Sequence, residues 1–274
     1  MQRITLRSEQ GSSAEVVTHG AHVVSWKNSA GEELLFVSEK AIFAPPKAIR
    51  GGVPLCFPQF GMMGPMPSQH GFARNVAFSV VEQEPWRVKL ALEYDGSSQP
   101  AFPHPFTLHV IISICDNHLL QELVVLNTGP SPLTFTAALH TYIRVTDIHT
   151  AKVRGLSQGR YLDNLASLQQ STQEEEELGF SGEVDRVYLS TPSTIQVIDP
   201  SGKRIVTVSK EGFPDAIVWN PWIAKAASMA DFGDEEYKVM ICIEPAVAGS
   251  GPVTLEPGAE WQGKQDLAYQ SSSA

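Results

Sequence analysis

The sequence predicts an all-β protein, a sandwich of antiparallel strands. Three observations carry that reading. Hydrophobicity repeats with period two along most of the chain, β-branched residues are frequent with Gly, Pro, Asn and Asp punctuating the gaps, and helical periodicity is thin. The chain is 274 residues long, 42% hydrophobic and 18% charged. That is enough apolar material for a sizeable core and too much for a disordered chain.

In order, strand-like runs fall at Arg3–Arg7, 16–19, His22–Lys27, 34–37 and 76–81. In residues 88–94 the even positions are apolar and most odd ones polar. Phe106, Leu108, Val110, Ile112 and Ile114 then share one face, with Thr107, His109 and Ser113 on the other. Leu120, Val124 and Leu126 repeat the pattern around Glu122. Further runs lie at 133–140, Thr194–Asp199, 204–209, 216–219, 239–244 and 253–256. The best helix is 220–229, with Asn220 as N-cap and Pro221 at the first helical position. Residues 174–177 are four consecutive glutamates placed on a solvated face, and 271–274 read as a disordered tail. No linker, composition shift or solenoid-type repeat divides the chain, so one domain over 1–270 is expected.

Thirty acidic against twenty basic residues give a formal charge of -10. Such a surface is a poor partner for nucleic acid or an anionic membrane, and it still permits a small basic pocket for one anion. Basic residues are not interleaved with aromatics as nucleic-acid surfaces require. Cys56, Cys115 and Cys242 sit in apolar runs and read as reduced core thiols. No apolar leader and no run near the ~20 residues of a membrane span is present, so a cytoplasmic location is expected.

Chemistry concentrates in a few segments. Residues 50–75 are too rich in Gly and Pro for helix or long strand, yet keep Arg50, Arg74, Gln59, Gln69, His70 and several Phe. Such a stretch is a binding loop or a well-packed surface loop. In 133–142, period two sets Leu133, Phe135, Ala137 and Leu139 on one face and His140 on the other with Thr134, Thr136 and Ala138. Glu244 ends an apolar strand with Pro245 expected to stop the ladder behind it; desolvation there would raise its pKa and suit it to a base role, and the bland alternative is a carboxylate reaching solvent. Asp185 and Arg186 stand among apolar residues, and Trp219 and Trp222 flank a turn as core residues or sugar-stacking faces. P-loop, dinucleotide, nucleophile-elbow and zinc-protease motifs are all missing. His19 and His22 have no Cys or carboxylate nearby to complete a metal site.

Six segments in order, RGGVPLCFPQFG (50–61), QHGFARN (69–75), ALHTY (138–142), EVDRVY (183–188), VWNPW (218–222) and CIEP (242–245), resemble the aldose 1-epimerase (galactose mutarotase-like) superfamily. The match is closest to its glucose-6-phosphate 1-epimerase branch, the hexose-6-phosphate mutarotases, and spans roughly residues 16–258. The resemblance implies an antiparallel β-supersandwich with its site in a groove on one sheet. It also implies exchange of hexose 6-phosphate anomers without metal or organic cofactor, by a protein expected to be monomeric. It makes His140 and Glu244 the catalytic pair, and Arg50, Gln69, Arg74, Asp185 and the second histidine His70 the substrate-holding set. Ala224 and the run Ala246-Val247-Ala248 depart from many relatives without touching these residues.

The residue types suit that chemistry independently. Anomer exchange removes a proton from the C1 hydroxyl and gives one to the ring oxygen, and a positioned acid and base contribute ~10²–10⁴-fold. Glu244 as base and His140 as acid meet this need if His140 starts protonated beside its carboxylate. Arg50 and Arg74 offer planar cations for phosphate. The competing reading is a non-catalytic sugar-phosphate-binding or sensor protein on the same fold, which has no need of both His140 and Glu244.

Overall fold

The computed structural model describes residues 1–272. Two large antiparallel sheets carry the molecule. The nine-stranded sheet runs, edge to edge, Glu177–Leu178, Lys152–Arg154, Thr194–Asp199, Arg204–Glu211, Glu260–Ser271, His118–Asn127, Phe106–Cys115, Arg87–Tyr94 and Ser79–Glu84. The eight-stranded sheet runs Gln169–Thr172, Arg160–Asp163, Val184–Tyr188, Asp215–Asn220, Met240–Val247, Ala137–Leu139 and Leu55–Cys56, with Thr141–Arg144 also paired to Met240–Val247. A three-stranded sheet (Arg3–Arg7, Ser13–Val17, His22–Lys27) and a two-stranded one (Val253–Leu255 with Leu133–Phe135) complete it. The all-β expectation holds.

The large sheets enclose a continuous hydrophobic cluster drawn from both. Phe57, just after Leu55–Cys56, meets Phe106 edge-on at 5.1 Å between ring centroids, and Thr141 Oγ1 donates to Gln265 Oε1 at 2.7 Å from one sheet to the other. Period two survives best in the nine-stranded sheet, where Phe106, Leu108, Val110, Ile112 and Ile114 are all buried.

Several expectations are corrected. Residues 34–37 make only isolated bridges, Leu35 to Ile143 and Val37 to Gly51. The run 133–140 is cut at Thr136, whose hydroxyl takes the Phe60 N–H, so its two halves join different sheets. Pro245 does not end its strand: it pairs with Ala216 on one side, and the strand continues to Val247. The helix is Trp222–Ser228, and Asn220 lies in the preceding strand, although its Oδ1 still accepts the Trp222 N–H at 2.9 Å. Cys56 and Cys242 are buried as expected, whereas Cys115 is exposed at a strand end. Of the expected tail 271–274, Ser271 closes the last strand and the Ser272 N–H bonds Lys203; residues 273 and 274 lie outside the described residues.

Candidate active site

The pairing of Ala137–Leu139 and Thr141–Arg144 with Met240–Val247 keeps a single register, Ala138 opposite Ala246 and Thr141 opposite Ile243. The residue between them, His140, therefore stands opposite Glu244. The strand is interrupted at that point. The His140 N–H donates outward to Pro54 O at 3.0 Å, and Pro245 brings no N–H to the ladder. Alternation then puts His140 and Tyr142 on one face with Cys242 and Glu244, away from the core face where Thr141 meets Gln265. The same rungs continue to Trp219, opposite Cys242, and Asp185, opposite Trp219.

His140 Nδ1 lies 3.4 Å from Glu244 Oε1, with His140 8% and Glu244 1% exposed. Neither His140 Nδ1 nor Glu244 Oε2 has a hydrogen-bond partner among the described residues. Leaving such groups unpaired costs ~1–3 kcal/mol each, a cost that a bound hydroxyl can offset. The imidazole stacks on Tyr142 at 4.7 Å and 9°, and meets the edges of His70 at 5.7 Å and Trp219 at 5.9 Å. Aromatic contact on three sides fixes the ring plane.

Burial pushes the Glu244 carboxyl well above the usual carboxylate range, and the Asp185 charge adds to it. Burial also holds His140 well below the ordinary imidazole value, helped by His70 and the Arg74 and Arg50 cations. Both shifts favour the neutral forms, an uncharged imidazole facing a protonated carboxyl, so a protonated His140 at the start of a reaction requires the proton to pass across the pair.

The loops supply the cations. Gly52 has φ +64°, and a Cβ there would overlap the Val23 carbonyl oxygen, so only glycine lets the chain pass beside the first small sheet. Arg50, just before it, donates from Nη1 to the Tyr142 hydroxyl and from Nε to Asp231 Oδ1, both at 3.2 Å. Gln59 is fully buried and organises the next loop: its amide donates to the carbonyls of Gly61, Met66 and Ser68, and its Oε1 accepts the Met66 N–H. That loop delivers His70 with φ +68°. His70 Nδ1 accepts the Gly61 N–H at 3.1 Å, so Nε2 carries the proton of the neutral ring, which burial and the Arg74 and Arg50 charges lower to about 3. Arg74 donates from Nη2 to the Gln69 carbonyl at 3.0 Å and keeps a buried Nε without a partner among the described residues. On the opposite rim Asp185 Oδ1 accepts the Asn164 amide at 2.6 Å, and burial raises its pKa.

Of the residues singled out in the sequence, His140, Glu244 and His70 come together directly. Arg50 reaches the group through Tyr142, and Arg74 and Asp185 act on it by their charge. Gln69 differs: its side chain is exposed, and its backbone carbonyl is what holds Arg74. Sequence reasoning assigned no role to Tyr142, Asp231, Gln59 or Asn164. Tyr142 was findable, two residues from His140 on the same face. Asp231 gives no local signal. Cys242 adds a thiol to the floor, and the ligand atoms of His140, Cys242 and Glu244 all lie within 4.8 Å of one another.

Comparisons with known proteins point the same way. The aldose 1-epimerase family profile matches residues 2–268. A Cenchrus ciliaris protein provisionally named glucose-6-phosphate 1-epimerase is 44% identical, over 100% of this chain and 86% of that one. A protein of the same provisional name from Escherichia coli K12 is 32% identical, over 86% of this chain and 80% of its own. Among solved structures, a provisionally assigned mutarotase from Salmonella typhimurium superposes with a TM-score of 0.87 at 28% identity, covering 98% of this chain and 90% of that one.

Proposed function

On the premise that this chain belongs to the aldose 1-epimerase family and so is an isomerase that interconverts sugar anomers, we propose that its substrate is a hexose 6-phosphate such as glucose 6-phosphate. The reading further takes His140 and Glu244 as the catalytic residues. The single observation that carries it is the buried His140–Glu244 pair at 3.4 Å, with Glu244 Oε2 without a partner among the described residues and the Arg50 and Arg74 charges acting on His140. The names of the relatives support the phosphorylated substrate.

The chemistry follows from one proton. Burial first, and then the His70, Arg74 and Arg50 charges, depress the imidazole. A phosphate dianion lying against the two arginines removes their part of that shift and so favours passage of the proton from Glu244 to His140. Glu244 then takes the proton of the C1 hydroxyl as His140 Nε2, the nitrogen not facing Glu244, protonates the ring oxygen. The bond from C1 to the ring oxygen breaks and a carbonyl forms at C1. Rotation about C1–C2 and the reverse proton transfers close the ring on its other face. Asp185 accepts from a ring hydroxyl, and neutral His70 donates from Nε2. The steps as written call on no metal or organic cofactor. In the same reading the chain is a single domain, monomeric and cytoplasmic.

Magnetisation-exchange NMR on glucose 6-phosphate, other hexose 6-phosphates and the free hexoses tests this. The proposal expects accelerated exchange between anomers that is strongest for phosphorylated sugars. Tight sugar-phosphate binding with no acceleration would instead favour a non-catalytic sensor on the same fold.

A further inference from the structure

The floor of the site contains a feature that the proton chemistry leaves unused. Cys242 stands on the same strand and the same face as Glu244, two residues away, and opposite Tyr142. Its thiol, a histidine nitrogen and a carboxylate oxygen lie within 4.8 Å of one another, and all three residues are buried. Two donor atoms of these residues, Glu244 Oε2 and His140 Nδ1, have no hydrogen-bond partner among the described residues.

We propose that His140 Nδ1, Cys242 Sγ and the Glu244 carboxylate form a binding site for a borderline-soft divalent cation of the Zn²⁺ type, and that the cation switches the enzyme off by occupying its acid–base pair. Ligand bonds of ~2.0–2.3 Å arranged tetrahedrally separate the ligand atoms by roughly 3.3–3.8 Å. His140 Nδ1 and Glu244 Oε1 already stand 3.4 Å apart. Closing the triangle from its upper limit of 4.8 Å requires shifts of about 1 Å. One nitrogen, one sulfur and one oxygen donor select Zn²⁺ or Co²⁺ over Mg²⁺ or Ca²⁺, which take oxygen ligands.

Charge balance favours the complex. Binding releases the Cys242 thiol proton and the Glu244 carboxyl proton to solvent, and a dication with one thiolate and one carboxylate is neutral overall. The buried floor is then not asked to hold a net charge. His140 contributes a lone pair without losing a proton, its own proton sitting on Nε2. Arg50 and Arg74 oppose the cation in the empty site, and sugar phosphate and Zn²⁺ should exclude one another because both need His140 and Glu244.

That the cation inhibits rests on the catalytic reading above; that it binds does not. The experiment uses the full chain carrying Cys115→Ser, which removes the exposed thiol, after treatment with chelator. Co²⁺ titration, read by thiolate-to-metal charge-transfer absorption, should show one equivalent per chain. Zn²⁺ should displace it and suppress anomer exchange by about 10²–10⁴-fold, the contribution of the acid–base pair. Adding Cys242→Ala should abolish the absorption and weaken Zn²⁺ binding by at least ~100-fold. It should leave metal-free exchange in place and resistant to Zn²⁺. No charge-transfer absorption with Cys242 present overturns the site without recourse to any variant at that position. Zn²⁺ inhibition of undiminished potency after Cys242→Ala overturns it as well. Absence of exchange in the metal-free protein would count against the catalytic reading alone, because the Co²⁺ absorption still decides the site.

Discussion

Phe106–Cys115, in the nine-stranded sheet, alternates buried with half-buried residues until its exposed last position, whereas Met240–Val247, in the eight-stranded sheet, is buried throughout. The first strand has core on one side and solvent on the other. The second has core on one side and, on the other, a floor of His140, Tyr142, Cys242 and Glu244 roofed by loops. The nine-stranded sheet follows the ordinary rules of a half-solvated antiparallel sheet. The eight-stranded sheet breaks them at the proposed site: a proline sits inside a central strand, a strand is interrupted at His140, and a carboxyl is desolvated with no cation bonded to it among the described residues. One sheet supplies stability and the other spends some of it on a preorganised, unsatisfied site.

That division can be broken experimentally. Leu123 is fully buried in the nine-stranded sheet, and Leu123→Ala should cost ~2–5 kcal/mol of unfolding free energy while leaving kcat of the folded protein unchanged. Chemical denaturation alongside exchange kinetics checks this, and a large fall in kcat would mean that the two sheets are not separable in function.

A second effect comes from the small three-stranded sheet. His22 Nε2 donates to Gly51 O at 2.7 Å, tethering the loop that carries Arg50, and burial lowers the His22 pKa to about 4, with His19 and Arg74 adding to the fall. The folded state therefore binds fewer protons than the unfolded state between the ordinary value of 6.5 and about 4. Stability from this group is full above pH ~6.5 and is lost as the pH falls toward 4, by on the order of 3 kcal/mol. His70 acts in the same direction, its pKa being about 3. Urea unfolding at a series of pH values should show a shallower acid slope in His22→Gln than in the parent. An unchanged slope would place the acid sensitivity elsewhere.

The smallest effect sharpens the role of the loops against the sheet floor. Arg74→Ala removes one charge-assisted contact, worth ~1.5–3 kcal/mol, and should raise KM for hexose 6-phosphates ~10- to 100-fold with little change for free hexoses. Equal changes for both sugars would remove phosphate as the partner of Arg74.

The same contrast explains what was legible in the sequence. The nine-stranded sheet announces itself because burial on one face writes period two into Phe106–Cys115. Gln169–Thr172 and Lys152–Arg154 carry no such pattern, being short, polar or mostly exposed, and were not foreseen. His140 and Glu244 were legible as residues and as members of one family pattern, but their direct opposition depends on a register that no local signal contains. Asp231 meets Arg50 across 181 positions of sequence, and Gln59 acts by turning its amide inward on three carbonyls. Both depend on where the loops fold back. The downward push on His140 has no sequence signal either, because burial, His70, Arg74 and Arg50 act on it only once the loops fold over the sheet.

In the proposed reading catalysis belongs to the site face of the eight-stranded sheet and to the Glu244 carboxyl in particular. Glu244→Gln and Glu122→Gln make the same chemical change on the two sheets, Glu122 being a half-buried residue of the nine-stranded one that accepts the Gln262 amide. Magnetisation-exchange NMR on glucose 6-phosphate, with circular dichroism to confirm folding, should show Glu244→Gln slowed by ~10²–10⁴-fold and Glu122→Gln at the parent rate. Exchange at the parent rate in folded Glu244→Gln would contradict the account.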